Sequence, residues 1–187
     1  MKSSTPVPQY IAFLRAINVG GRVVKMAHLR TLFAELGFSD VTTFIASGNV
    51  LFETPATDLP ALERQIARYL HQDLGYEVAT FLRTPSELAA VAHHPAFAPA
   101  DLTADGNALY IAFLPAPPTA EAQHQLLTFR TAVDDFHVHG REVYWLCRKK
   151  ISDSAFSGAR LEKTVRMPAT VRNATTVRKL AANVASG

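Results

Sequence analysis

Tyr10-Ile-Ala-Phe-Leu-Arg-Ala-Ile-Asn-Val-Gly-Gly21 is the stretch that decides how this chain reads. Residues 10–16 form a β-rich apolar run of strand length, and the rest is a polar loop ending in two glycines. Downstream, Met26, Leu29, Leu32, Phe33 and Leu36 recur at helical spacing, with Gly37 placed to cap the helix end. Residues 41–45 and 49–53 read as two strands joined by a tight turn at Ser47-Gly48. Leu59, Leu62, Ile66, Tyr69 and Leu70 mark a second helix with Asp58 at its N-cap, and residues 76–83 form a further strand. The order is βαββαβ, the ferredoxin-like split unit.

The second half repeats it. Tyr110-Ile-Ala-Phe-Leu-Pro-Ala116 matches residues 10–16 with one difference. A helix over 121–132, a strand over 134–138, a turn at His139-Gly140 and a strand over 142–147 follow. A helix over 158–165, a short strand near 169–172 and a last helix over 174–184, capped by Asn173, complete the set. The expected architecture is α+β: two ferredoxin-like (alpha-beta plait) modules related by duplication, with a C-terminal helix. Residues 1–9 read as a frayed tail, 10–84 as the first module, 85–106 as a connecting helix and loop, and 107–187 as the second module.

Hydrophobic residues at 48% and charged ones at 19% suit a well-packed globular chain. No run approaches the roughly 18–20 continuous apolar residues of a membrane helix, and the N-terminus lacks an apolar signal core. Cys147 is the only cysteine, which excludes an internal disulfide and a cysteine metal cluster. The expected compartment is the cytoplasm. Charge is uneven: residues 141–187 hold ten Lys or Arg against three acids, while the remainder is mildly acidic. Such a basic segment favours an anionic partner such as phosphate, nucleotide or nucleic acid, although a solvated basic face fits equally well.

In a split unit the first two strands run parallel, so the loop after the first and the hairpin after the second share one edge. That edge gathers Arg15, Asn18, Gly20, Gly21, Lys25, Ser47, Gly48 and Asn49. Glycine amides approach an anion closely, Lys25 supplies charge, and the following helix start adds unpaired N–H groups. The Gly-x4-Gly-Lys-Ser/Thr spacing of a P-loop is absent. The plainer reading is that the glycines permit positive φ, Ser47-Gly48 makes the turn, and Asn18 bonds loop backbone. A second constellation, Arg172, Asn173, Thr176 and Lys179, surrounds another helix start, where Asn173 alone is an ordinary cap.

His137 and His139 share one strand face, but two histidines leave a metal set incomplete, and His93-His94 reads as surface. No metal is expected. Tyr144 and Trp145 beside Arg148-Lys149-Lys150 are of a type that stacks bases, without the signature of an RNA-recognition fold. There is no Gly-x-Ser-x-Gly elbow, and no general base stands near Ser47 in sequence. Catalytic residues and cofactor therefore go unassigned. Three functions stay open: a binding protein for a phosphate-bearing ligand, an enzyme using the same edge, and a structural or protein-interaction module.

The block at 10–21, Lys25-Met26 with Leu29, residues 41–45 and Ser47-Gly-Asn-Val50 with Phe52 closely resemble the bacterial family called domain of unknown function 1697. Gly140-Arg-Glu-Val-Tyr144, Leu161-Glu162, Thr170, Arg172-Asn173, Thr176 and Lys179-Leu180 agree with it. The resemblance implies an alpha-beta plait in two parts and supplies no activity, cofactor or catalytic residue. Three positions depart from the family pattern. Ala16 stands where glycine is usual, Ala46 where glutamine often precedes Ser-Gly-Asn, and Ala174 where tryptophan usually follows Arg-Asn.

Overall fold

Tyr10, Ile11, Ala12, Phe13 and Leu14 are all buried, so β1 (Gln9–Leu14) is apolar on both faces and belongs inside a sheet, not at its edge. The structure, a computed structural model, describes residues 6–187. β1 lies between β3 (Asn49–Glu53) and β4 (Thr80–Arg83), with β2 (Ser39–Thr43) outside β3, giving the order β2-β3-β1-β4. Every neighbouring pair is antiparallel. Helices α1 (Met26–Glu35) and α2 (Leu59–Leu74) cover one face: Leu29, Leu32, Phe33, Leu62, Ile66 and Leu70 pack against Tyr10, Ala12, Leu14, Val50, Phe52 and Leu82.

After α3 (Pro85–His93) and the short α4 (Pro99–Thr103), the same arrangement of strands recurs. β5 (Ala108–Phe113), β6 (Asp134–His139), β7 (Glu142–Cys147) and β8 (Thr170–Asn173) form an antiparallel sheet of order β6-β7-β5-β8. Leu126 of α5 (Ala120–Leu127) and Leu161 and Val165 of α6 (Gly158–Val165) pack against Ala112, Val143 and Trp145. Beneath them the Asp134 carboxylate is buried but satisfied, accepting from Trp145 Nε1 at 2.8 Å and Ser154 Oγ at 2.8 Å. α7 (Ala174–Ala185) closes the chain and contacts β5 and β8.

The described residues thus form a mixed α+β fold with two four-stranded antiparallel sheets and seven α-helices. They divide into two units, the first ending at Glu87 and the second running Leu88–Gly187. No helix among them is long and apolar enough to cross a membrane.

Three elements depart from the bounds their apolar patterns suggest, β2 by a shift of two residues and β4 and α5 by shortening, and a local polar bond or the end of a partner strand sets each limit. β2 stops at Thr43, and the expected two-residue turn is a longer connection with Ile45 at φ 51°. Phe44 N–H donates to the Asn49 carbonyl at 3.0 Å and Asn49 Nδ2 donates back to Phe44 O at 3.1 Å, closing that connection early. β4 begins at Thr80, not residue 76, because its partner β1 ends at Leu14, opposite Thr80. α5 ends at Leu127, not residue 132, since Thr131 Oγ1 instead accepts from Asp134 N–H at 3.0 Å and shapes the entry to β6. The caps fall where expected: Asp58 accepts from Ala61 N–H, and Asn173 from Thr175 N–H.

Ala16 sits at φ 64°, in the left-handed region that favours glycine, the residue the resemblance leads one to expect there. Ala16→Gly is therefore expected to raise the stability by about 0.5–1 kcal/mol in urea unfolding. Gly48→Ala is expected to do the opposite. Its backbone is at φ 76° and a Cβ there would lie 2.9 Å from Ile17 Cβ, so a loss of roughly 1–3 kcal/mol should appear in the same measurement.

Candidate functional site

The loop after β1 and the connection after β2 do meet, and Asn18 is the clasp. Its backbone is left-handed (φ 53°), which turns the side chain inward across the loop. Asn18 Oδ1 accepts from Val24 N–H at 2.6 Å, closing the glycine loop on itself. Asn18 Nδ2 donates to the Ala46 carbonyl at 2.9 Å, tying that loop to the β2–β3 connection. Arg22 lies over the Tyr76 ring at 4.2 Å and pins the far side.

Ser47, Gly48 and Asn49 also belong to the framework. Asn49 is fully buried, and its Nδ2 donates to both Phe44 O and Ser47 Oγ, the latter at 2.9 Å. Gly48 is pressed against Ile17, and its carbonyl accepts from Leu14 N–H at 2.9 Å. Their polar groups are engaged in holding the edge in shape.

What the edge turns outward is different. Gly20 and Gly21, at φ 58° and 80°, would have nothing within 4 Å of an added Cβ, so this backbone is open. Lys25 is exposed at the N-cap position of α1, makes no side-chain cap bond there, and no acid occupies the first turn. Arg15 is half-buried, and its backbone N–H donates to Ala79 O at 2.9 Å. Val19, Val23 and Ile45 are exposed beside them.

The C-terminal constellation lies in the second unit and is split by burial. Asn173 is exposed and caps α7, Lys179 is exposed, and Thr176 is half-buried. Arg172 is inside: Nη1 donates to Thr170 Oγ1 at 2.7 Å and to Val171 O at 3.1 Å, and burial pulls its pKa down to about 10. At neutral pH it is a buried cation serving the sheet. Arg83 on β4 is likewise buried and donates to Leu82 O at 2.7 Å. These two arginines stand opposite Ile11 and Ile111, matching places in the two sheets. Ala174, the departure from the family's tryptophan, is buried at the first turn of α7.

Two groupings escaped the sequence reading. Arg160, Lys163 and Arg166 line a groove with Gln125, Phe129 and Thr164, where Arg160 also lies over the Phe129 ring at 5.4 Å. The excess of basic residues announced it without giving a place. The second grouping is His94, His137 and His139, whose ring nitrogens lie within 4.8 Å of one another. His94 Nε2 is 2.9 Å from His137 Nε2, and the His94 ring stacks on His139 at 3.9 Å. Burial pushes the pKa values of His94 and His137 below the ordinary imidazole value, and neighbouring imidazoles add to the effect. Spacing gave two of these; the third comes from a loop 43 residues upstream of His137.

The family model of the protein of unknown function DUF1697 matches residues 7–144, and the chain belongs to that family. No curated protein matches. Among solved structures, the conserved bacterial protein SP0830 from Streptococcus pneumoniae is similar in fold. It superposes with a TM-score of 0.71 at 19% identity, over 94% of this chain and 98% of that one.

Asn18→Ala removes both clasp bonds at once while leaving the helices and sheets their own contacts. A loss of about 1–2 kcal/mol in urea unfolding is expected. Hydrogen exchange should accelerate at Val24 and not in α2.

Proposed function

We propose that this DUF1697 member is a cytoplasmic binding protein for a phosphate-bearing ligand, a nucleotide or nucleic acid, held at the loop edge of the first unit. The observation that carries the reading is the start of α1. It has no side-chain cap and no first-turn acid, and it stands beside exposed Lys25 and the open Gly20-Gly21 backbone. The partial positive charge of a helix start, unpaired amides and a lysine are the elements that recognise phosphate.

In this reading the contacts come from the loop amides, Lys25 and Arg15, while Asn18, Ser47, Gly48 and Asn49 hold the loop in a fixed shape. Exposed Val19, Val23 and Ile45 supply apolar surface for a base or sugar, which favours a nucleotide over bare phosphate. Catalysis at the same edge is less supported. His28, the histidine nearest the loop in sequence, is bonded to Asp73 at 2.6 Å. A nucleic acid in place of a free nucleotide is favoured by one further feature, the groove of Arg160, Lys163 and Arg166.

We read the two units as duplicated ferredoxin-like modules spanning residues 10–84 and 107–187. Three features support this: the near-identical central strands, the matching orders β2-β3-β1-β4 and β6-β7-β5-β8, and the buried arginines opposite Ile11 and Ile111. A reduced, buried Cys147 fits a cytoplasmic chain.

Thermal unfolding with millimolar ATP and with a short oligonucleotide tests the reading. Either is expected to raise Tm, and the Arg15→Ala/Lys25→Ala double variant should fold normally yet lose the rise. An unchanged Tm with every phosphate ligand overturns the proposal. A response that falls steeply with salt identifies nucleic acid, and a nearly salt-independent one a small ligand.

A further inference from the structure

The geometry points to a binding site in the second unit for one divalent transition-metal ion of the zinc type, ligated by His94, His137 and His139. Among the described residues no other trio of His, Cys, Asp or Glu side chains gathers in this way. Two separate segments bring the donors together. His137 and His139 are two apart on β6 and so share one face, and β6 is an edge strand, reachable from solvent. His94 follows α3 and reaches the same face from the side.

The loop carrying His94 is fastened where the site needs it. Tyr144 stands directly opposite His137 in the β6–β7 register, and its hydroxyl donates to Val91 O, three residues before His94, at 2.9 Å. That bond is buried, so the end of α3 is held against the strand pair that carries the other two histidines. Glu142 stands opposite His139 in the same register.

The separations suit a metal. Bonds of about 2.0–2.1 Å in a tetrahedral set place ligand nitrogens about 3.3 Å apart. His94 Nε2 and His137 Nε2 are at 2.9 Å, and every pair lies within 4.8 Å. Loading replaces the His94–His137 hydrogen bond and turns the His94 ring off its stack with His139. An all-imidazole set selects zinc, copper or nickel over magnesium or calcium, which prefer oxygen. Three protein ligands leave a fourth position open to water or a small anion.

The test uses the full, untagged chain stripped with a chelator. It is titrated with Zn²⁺ by calorimetry and with Co²⁺ by visible absorption. One ion per chain is expected, with tetrahedral cobalt bands. His94→Ala and His139→Ala should each weaken binding at least about tenfold, whereas His93→Ala, next in sequence but bonded to Ala89 O, should not. Absence of saturable binding overturns the inference, as does binding that survives both substitutions. Should either variant fail to fold, imidazole NMR of the unaltered chain decides. Zn²⁺ must move the resonances of His94, His137 and His139, and shifts confined to His28, His71 or His124 refute the site.

Discussion

Everything else in the first unit depends on β1 having no face to spare. From Tyr10 to Leu14 each side chain is withdrawn from water, and a strand of that kind is stable only with partners on both sides and cover above and below. β3 and β4 therefore flank it, and α1 and α2 cover one face. Once β1 is central, its C-terminal end emerges in the middle of the sheet, next to the start of β3. The chain must turn there at once, and the left-handed residues Ala16 and Asn18 are the turn. β5 is likewise central in the second sheet, with β7 and β8 as flanks and its residues 111–113 buried.

The polar residues at that edge divide into builders and presenters, and burial makes the division. Asn49 is wholly enclosed, and a buried amide without partners costs about as much as several surface contacts gain, so its bonds to Phe44 and Ser47 are structural obligations. Asn18 sits nearer the surface but spends both ends of its amide on backbone. Gly20 and Gly21 have open space around them and Lys25 is exposed, and in the proposed reading these are what a ligand would meet. If the proposed recognition by backbone and charge holds, a preorganised loop gives it a physical advantage. The conformational cost of ordering the loop is already met in the folded chain.

The elements whose periodicity ran unbroken were readable residue by residue. β7, β3 and α6 lie at the expected bounds, and Asp58 and Asn173 cap the helices they precede. β2, β4 and α5 depart from their expected bounds for a shared kind of reason: the apolar pattern is present, but a hydrogen bond or the end of a partner strand sets the limit. The same holds for function. Ser47, Gly48 and Asn49 lie at the edge that the topology predicts, yet their inward bonds are a property of packing that spacing does not encode.

The sequence by itself determined the strands and helices, their repetition around two Tyr-Ile-Ala-Phe-Leu runs, the family, and the polar loop after the first run. These are local matters of periodicity, capping and composition, decided within a few turns of chain. Tertiary structure alone decided which polar groups face water. It put Arg172 inside the second unit and gathered Arg160, Lys163 and Arg166 in one groove. It also brought His94 across to His137 and His139. The reason is that burial and convergence depend on which distant segments a sheet brings together, and no spacing along the chain carries that distance.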